Sequence, residues 1–157
     1  MKLSSILGLN ARSQLFSLNY NSLHGKRVAD SKIQTARVLR RALVATPLIL
    51  AKFKIPQDIL NFDWNSLPSS FALKPSRGLG GEGILVVKRR AENGWISVQK
   101  EKVTVDDLKL HVLDILEGAY SMGNEPDVAF IQEYVGRHKA FRKYAYRGTP
   151  DIRIIVF

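Results

Sequence analysis

The chain has 157 residues, is 45% hydrophobic and contains no cysteine. That is enough for one compact domain or two small subdomains; it argues against disorder, collagen and coiled coil, and it excludes a disulfide framework, a thiolate zinc site, an iron–sulfur cluster and a cysteine nucleophile. The net charge of +10 sits mainly in residues 1–70, where ten Lys and Arg face three acids, against fourteen facing eleven in residues 71–157, so an anionic partner is expected: nucleic acid, a membrane surface, or a small phosphate or carboxylate.

His24, His111 and His138 are scattered without metal-ligand spacing, and no metal-ligating group is expected in the chain. No apolar run approaches the roughly eighteen residues that span a bilayer. Met1 to Leu9 carries one lysine and an apolar patch broken by Ser4, Ser5 and Gly8, a poor match to a signal peptide. A reducing, cytoplasmic setting is the expectation.

In chain order, residues 1–27 are rich in Asn and Ser and fit a short leading helix or a loop. Ser31 and Gln34 have capping-box spacing, and Ile33, Ala36, Leu39 and Leu43 recur at helical intervals up to Thr46-Pro47. The other face of that helix carries Lys32, Arg37, Arg40 and Arg41. Phe53 to Pro68, with two prolines and several Asn and Asp, suits a connecting region into which Phe62 and Trp64 tuck as anchors. Strand periodicity follows: Phe71 to Lys74, then Ile84 to Val87, then Trp95 to Val98 after Gly94, as a meander. Thr104 and Asp107 form a second capping pair before Leu108, Val112, Ile115, Leu116 and Ala119, an amphipathic helix ending near Gly118 or Gly123. Val128 to Val135 is the next strand. A basic and aromatic stretch, Arg137 to Arg147, leads through a turn at Gly148-Thr149-Pro150 to a final strand, Asp151 to Phe157. Its end, Ile154-Ile155-Val156-Phe157, has no polar tail, which is the expectation for a fragment of a longer chain.

Between the first two strands of the meander, residues 78–83 hold four glycines in six positions. Such a loop loses about 0.5–1 kcal/mol per glycine, relative to alanine, on becoming ordered. Close approach of backbone amides to phosphate is one reason to bear that cost; a plain hairpin connection is the alternative. Gly78, Gly80 and Gly83 satisfy the dinucleotide spacing, but a strand follows where a helix is required. A Walker loop needs Gly-Lys-Ser/Thr before a helix, and a protein kinase needs its lysine after the loop. Here Lys74 precedes it. The remaining arrangement is a lysine at a strand end, a mobile loop and a return strand, with Lys74 as a point charge on phosphate oxygens.

Phe-Ala-Leu-Lys-Pro-Ser-Arg-Gly-Leu-Gly-Gly-Glu-Gly-Ile (71–84), Ile-Gln-Glu-Tyr-Val (131–135) and Gly-Thr-Pro-Asp-Ile-Arg-Ile-Ile-Val-Phe (148–157) together resemble the ATP-grasp fold, nearest to its α-L-glutamate ligase-related and sugar-transfer-associated groups. The resemblance implies an α+β, partial ATP-grasp fold: antiparallel sheets with packed helices and a glycine-rich strand–loop–strand. It divides the chain into an N-terminal helical segment and linker (1–70) and a nucleotide-binding portion (71–157) that stops before the metal-binding strands. It implies that Lys74, with Lys32, binds ATP phosphates under Gly80, Gly81 and Gly83, and that Glu133, Tyr134 and Val135 form the adenine hinge. It also implies that Asp151 contacts nucleotide and that Arg153 faces phosphate or an acyl phosphate, as the catalytic residue. Leu79 stands where the family usually has a small residue, and Glu82 brings a negative charge near the phosphates. The implied cofactors are ATP and Mg2+, the metal's ligands lying beyond Phe157. The implied chemistry is carboxylate–amine ligation through an acyl phosphate, on substrates the sequence does not name, with this chain incomplete and inactive alone. A basic nucleic-acid-binding module, resting on Arg37, Arg40, Arg41 and the 137–147 stretch, is the alternative and is set second.

Overall fold

The computed structural model describes residues 7–78, 80–141, 143 and 144. Short helices open the chain. Helix α1 (Leu9–Arg12) runs through a π-helical stretch, Ser13–Ser17, into α2 (Leu18–Tyr20), followed by α3 (Leu23–Asp30) and α4 (Lys32–Arg41). Ser31 is the joint between the last two. Its amide donates to the Val28 carbonyl, and its Oγ accepts from the Gln34 amide at 3.3 Å, capping α4.

Helix α4 is shorter than its periodicity suggests, and Leu43 does not belong to its buried face. Val44 N–H bonds to the Leu39 carbonyl and Leu43 N–H to that of Arg40, a Schellman ending in which Leu43 takes the left-handed position at φ 59°. Its side chain is 94% exposed as a result. The Arg40 guanidinium fixes the returning chain by donating to Thr46 Oγ1 and to the Pro47 carbonyl, both at 2.9 Å.

The described residues that follow are built around one six-stranded antiparallel sheet: β1 (Ile49–Phe53), β2 (Phe71–Pro75), β3 (Leu85–Ala91), β4 (Gly94–Ser97), β5 (Lys102–Val103) and β6 (Ala129–Glu133), in the order β1-β6-β2-β3-β4-β5. Strands β2 to β4 make the expected meander, and β5 extends it. Strand β1 was not legible in the sequence, nor were β5 and helix α5 (Pro56–Asn61); β1 adds to the sheet edge by pairing with β6. The final strand expected over 151–157 lies outside the described residues.

Alternation along the strands gives the sheet two unlike faces. Phe53, Phe71, Leu73, Val87, Trp95, Ala129 and Ile131 are buried together with Leu108, Val112 and Ile115 of α6 (Val105–Leu116). Thr104 Oγ1 accepts the Asp107 amide and the Asp107 carboxylate accepts the Thr104 amide, so α6 starts where its capping pair predicts. Phe62 and Trp64 tuck in as anchors: Trp64 stacks on Phe53 at 5.3 Å, Phe62 meets both edge-on, and the indole N–H donates to the Ile59 carbonyl. The opposite face of the sheet carries the intervening positions, Ala72 and Lys74 of β2 and Phe130 and Gln132 of β6, and these build the site.

Candidate functional site

Lys74 is the last residue but one of β2, just beyond the three pairs (Phe71↔Val87, Ala72↔Val86, Leu73↔Leu85) that join β2 to β3. The glycine loop therefore starts and returns directly beside its side chain. On the other side, β2 pairs with β6 as Ala72↔Gln132 and Lys74↔Phe130, so Gln132 shares the Lys74 face. Lys74 Nζ donates to Gln132 Oε1 at 3.0 Å.

Lys32 reaches the same place from α4. Its amide bonds to the Ser76 carbonyl at 3.0 Å, which docks the first turn of α4 on the end of β2, and its Nζ donates to the Gly78 carbonyl at 2.9 Å. Ser31 and Ser76 reinforce the docking through a buried hydroxyl–hydroxyl contact of 3.0 Å. Residues 74, 76 and 78 thus hold an amine from each of two elements at the mouth of the loop.

The electrostatics follow from this crowding. Burial lowers the Lys74 pKa from its ordinary value, and the neighbouring Lys32 charge lowers it further. Burial also lowers Lys32, opposed by Asp127. Asp127 is itself committed to the backbone: one oxygen accepts from Arg77 N–H at 2.6 Å and the other from its neighbour's amide, Val128 N–H, at 2.8 Å. Lys74 has no carboxylate partner among the described residues. Two half-buried ammonium groups side by side form a site in which a multiply charged anion relieves both the desolvation and the mutual repulsion.

The loop suits close approach by a ligand. Gly80, Gly81 and Gly83 all have positive φ, and a side chain added at Gly80 or Gly81 meets nothing within 4 Å, so this stretch of backbone is bare and open. Gly83 is different: a Cβ there would lie 2.5 Å from Tyr120 Cγ. The loop's end is clamped to α6, with His111 Nε2 2.9 Å from the Gly83 carbonyl and the His111 and Tyr120 rings 5.3 Å apart. The amide run and paired amines fit a polyphosphate. Among the described residues no group of three His, Asp or Glu side chains is arranged to hold a metal ion, and no helix is long and apolar enough to cross a membrane.

Of the residues singled out in the sequence, Lys32 and Lys74 come together, and Gly80, Gly81 and Gly83 lie in the loop that follows β2. Tyr134 and Val135 continue from β6 and are exposed. Glu133 falls in the Phe71 row, one pleat away from Lys74, and its Oε1 accepts the Leu48 amide at 2.9 Å. Asp151 and Arg153 lie outside the described residues. Sequence reasoning missed Gln132, Asp127, His111 and Tyr120. The signal for His111 was present, since it shares the 108, 112 and 115 face of α6, the face aimed at the sheet; the others depend on strand register and loop packing.

An α+β domain whose antiparallel sheet carries a glycine-rich strand–loop–strand beside two converging amines defines a nucleotide-binding class of protein. The family model for sugar-transfer associated ATP-grasp matches residues 11–157, and the chain belongs to that family. It is an ATP-binding, ligase-like domain. No curated protein and no solved structure matches it.

Proposed function

We propose that the chain holds ATP for carboxylate–amine ligation, with Lys74 and Lys32 on the phosphates, the amides of Gly80, Gly81 and Gly83 above them, and the 133–135 segment against adenine. The observation that carries this reading is the pair of partly buried ammonium groups, uncompensated at Lys74, at the mouth of a loop whose glycines leave room for a ligand. The amines supply charge that grows in value as water is excluded, and the loop amides add donors without adding bulk. Asp151 and Arg153 complete the nucleotide and phosphate contacts in this reading. The reaction class is transfer of the terminal phosphate to a carboxylate with release of ADP, giving an acyl phosphate whose carbonyl carbon an amine attacks, forming the amide and releasing inorganic phosphate. Magnesium bound with ATP would offset phosphate charge in this reading.

The test is thermal stabilisation by ATP with magnesium, comparing wild type with Lys74→Ala. A saturable shift in wild type that falls at least ten-fold in apparent affinity in the variant supports the reading. Equal shifts remove Lys74 from the site.

A further inference from the structure

A second concentration of positive charge lies apart from the amine pair. Helix α4 and strand β1 enclose a cleft of about 430 Å3. Among the described residues four cations line it, Arg37, Arg40, Arg41 and Lys52, and no acid does. Ile33, Ala36 and Ile49 provide the remaining lining, an apolar floor. Arg40 is held in place by its bonds to Thr46 and Pro47, whereas Arg37, Arg41 and Lys52 have no hydrogen-bond or ion-pair partner among the described residues.

We propose that this cleft is a second anion site, taking a small organic molecule that carries at least two carboxylate or phosphate groups on an apolar body. Guanidinium forks bind both groups in two-point fashion, and three of the four cations are arginine. The volume lies in the range of small-molecule pockets. The apolar floor calls for a ligand with a hydrocarbon portion, which a bare inorganic ion lacks. No aromatic side chain among the described residues lines the cleft, so these residues offer no stacking platform of the kind single-stranded nucleic acid uses. The site is distinct from the one beside the glycine loop. Lys52 and Lys74 flank Phe130 in one row of the sheet, from strands on either side of β6, and neither Lys32, Lys74 nor any loop glycine lines the cleft.

The test uses the full chain carrying Lys74→Ala, so that binding beside the glycine loop does not contribute. Tricarballylate and propane-1,3-bisphosphonate are titrated separately by calorimetry at fixed salt. Saturable one-to-one binding of either is expected; the tighter of the two tells carboxylate from phosphate recognition. Adding Arg37→Gln with Arg41→Gln weakens that binding at least ten-fold. Lys52→Gln, a single change on a strand, weakens it several-fold, and Lys109→Gln on α6 leaves it unchanged. Melting temperatures within a degree or two of the parent exclude loss of fold as the cause. Absence of binding by both probes, an unchanged affinity in the arginine variant, or capture of oligothymidylate that neither probe displaces overturns the proposal.

Discussion

Lys74 Nζ gives its hydrogen bond to the neutral amide oxygen of Gln132, at 3.0 Å, where a carboxylate would have neutralised it. The cation is positioned without being cancelled, and repulsion from the neighbouring Lys32 charge adds to the cost of its burial. Gln132→Glu is therefore expected to act in opposite directions on stability and on binding. The new carboxylate pairs with Lys74, so the melting temperature of the unliganded chain rises, while affinity for ATP falls about ten-fold or more. Parallel thermal and calorimetric titrations check this. A higher melting temperature with ATP affinity unchanged would mean that Lys74 does not carry a binding charge.

The amine was legible in the sequence and its partner was not, for a physical reason. A lysine before a glycine-rich loop between two strands is a local pattern. Whether Gln132 or Glu133 faces it depends on which strand β6 joins and in what register, and a slip of one residue exchanges the two. Helix α6 was readable from its cap and period, and the Phe62 and Trp64 anchors from their polar, proline-flanked setting. Strand β1 was not, because Ile49 to Phe53 follows Pro47 without alternation and has a bulge between Ile49 and Ala51. Its identity comes from pairing with a strand eighty residues away in the chain. Leu43 shows the reverse failure: its spacing fits the apolar face of α4, but the Schellman ending puts it in solvent.

That ending supplies a stability prediction. A left-handed leucine costs about 1–2 kcal/mol relative to glycine, offset in part by the extra freedom glycine brings to the unfolded chain. Leu43→Gly is expected to stabilise the chain by up to about 1 kcal/mol, seen as a higher urea midpoint with unchanged slope. A lower midpoint would show that the exposed leucine makes contacts worth more than its strain.

The two lysines also make a pH prediction. Both bind protons more weakly in the folded chain than the ordinary lysine value of 10.5. Between the folded and unfolded pKa values the unfolded chain holds more protons, so stability from these groups rises with pH across that window and the cost is fully present below it. A polyanion on the amines restores their protonation. ATP binding in the alkaline range below pH 10.5 is thus expected to take up protons and to weaken as pH rises, giving calorimetric heats that differ between buffers of different ionisation enthalpy. Identical heats in all buffers would exclude the amines as the charge that ATP meets.

The glycines of the loop separate conformational strain from steric closure. At Gly81 an alanine meets open space and only the φ of 85° is unfavourable, costing about 1–2 kcal/mol. At Gly83 the same strain is joined by contact with the Tyr120 ring, adding about 1–3 kcal/mol of overpacking. Gly83→Ala should lower stability more than Gly81→Ala, and Tyr120→Ala should recover part of the difference when combined with it. No recovery in the double variant would show that the backbone conformation, not the ring, sets the cost.

Ser31 and Ser76 connect stability to the site, because their hydroxyls meet at 3.0 Å where α4 delivers Lys32. Ser31→Ala removes both this contact and the cap of α4, and is expected to cost about 1–2 kcal/mol. Ser76→Ala removes the contact alone and costs about 1 kcal/mol, leaving the Ser31 hydroxyl its cap role. Because both single changes remove the same contact and Ser31→Ala leaves the Ser76 hydroxyl stranded in a buried place, the double variant should lose less than the two single losses combined. Lys32 follows Ser31 directly, so ATP affinity should fall further in Ser31→Ala than in Ser76→Ala. Additive stabilities together with unchanged ATP affinity in both variants would show that the docking of α4 is carried by its backbone bond to Ser76 alone.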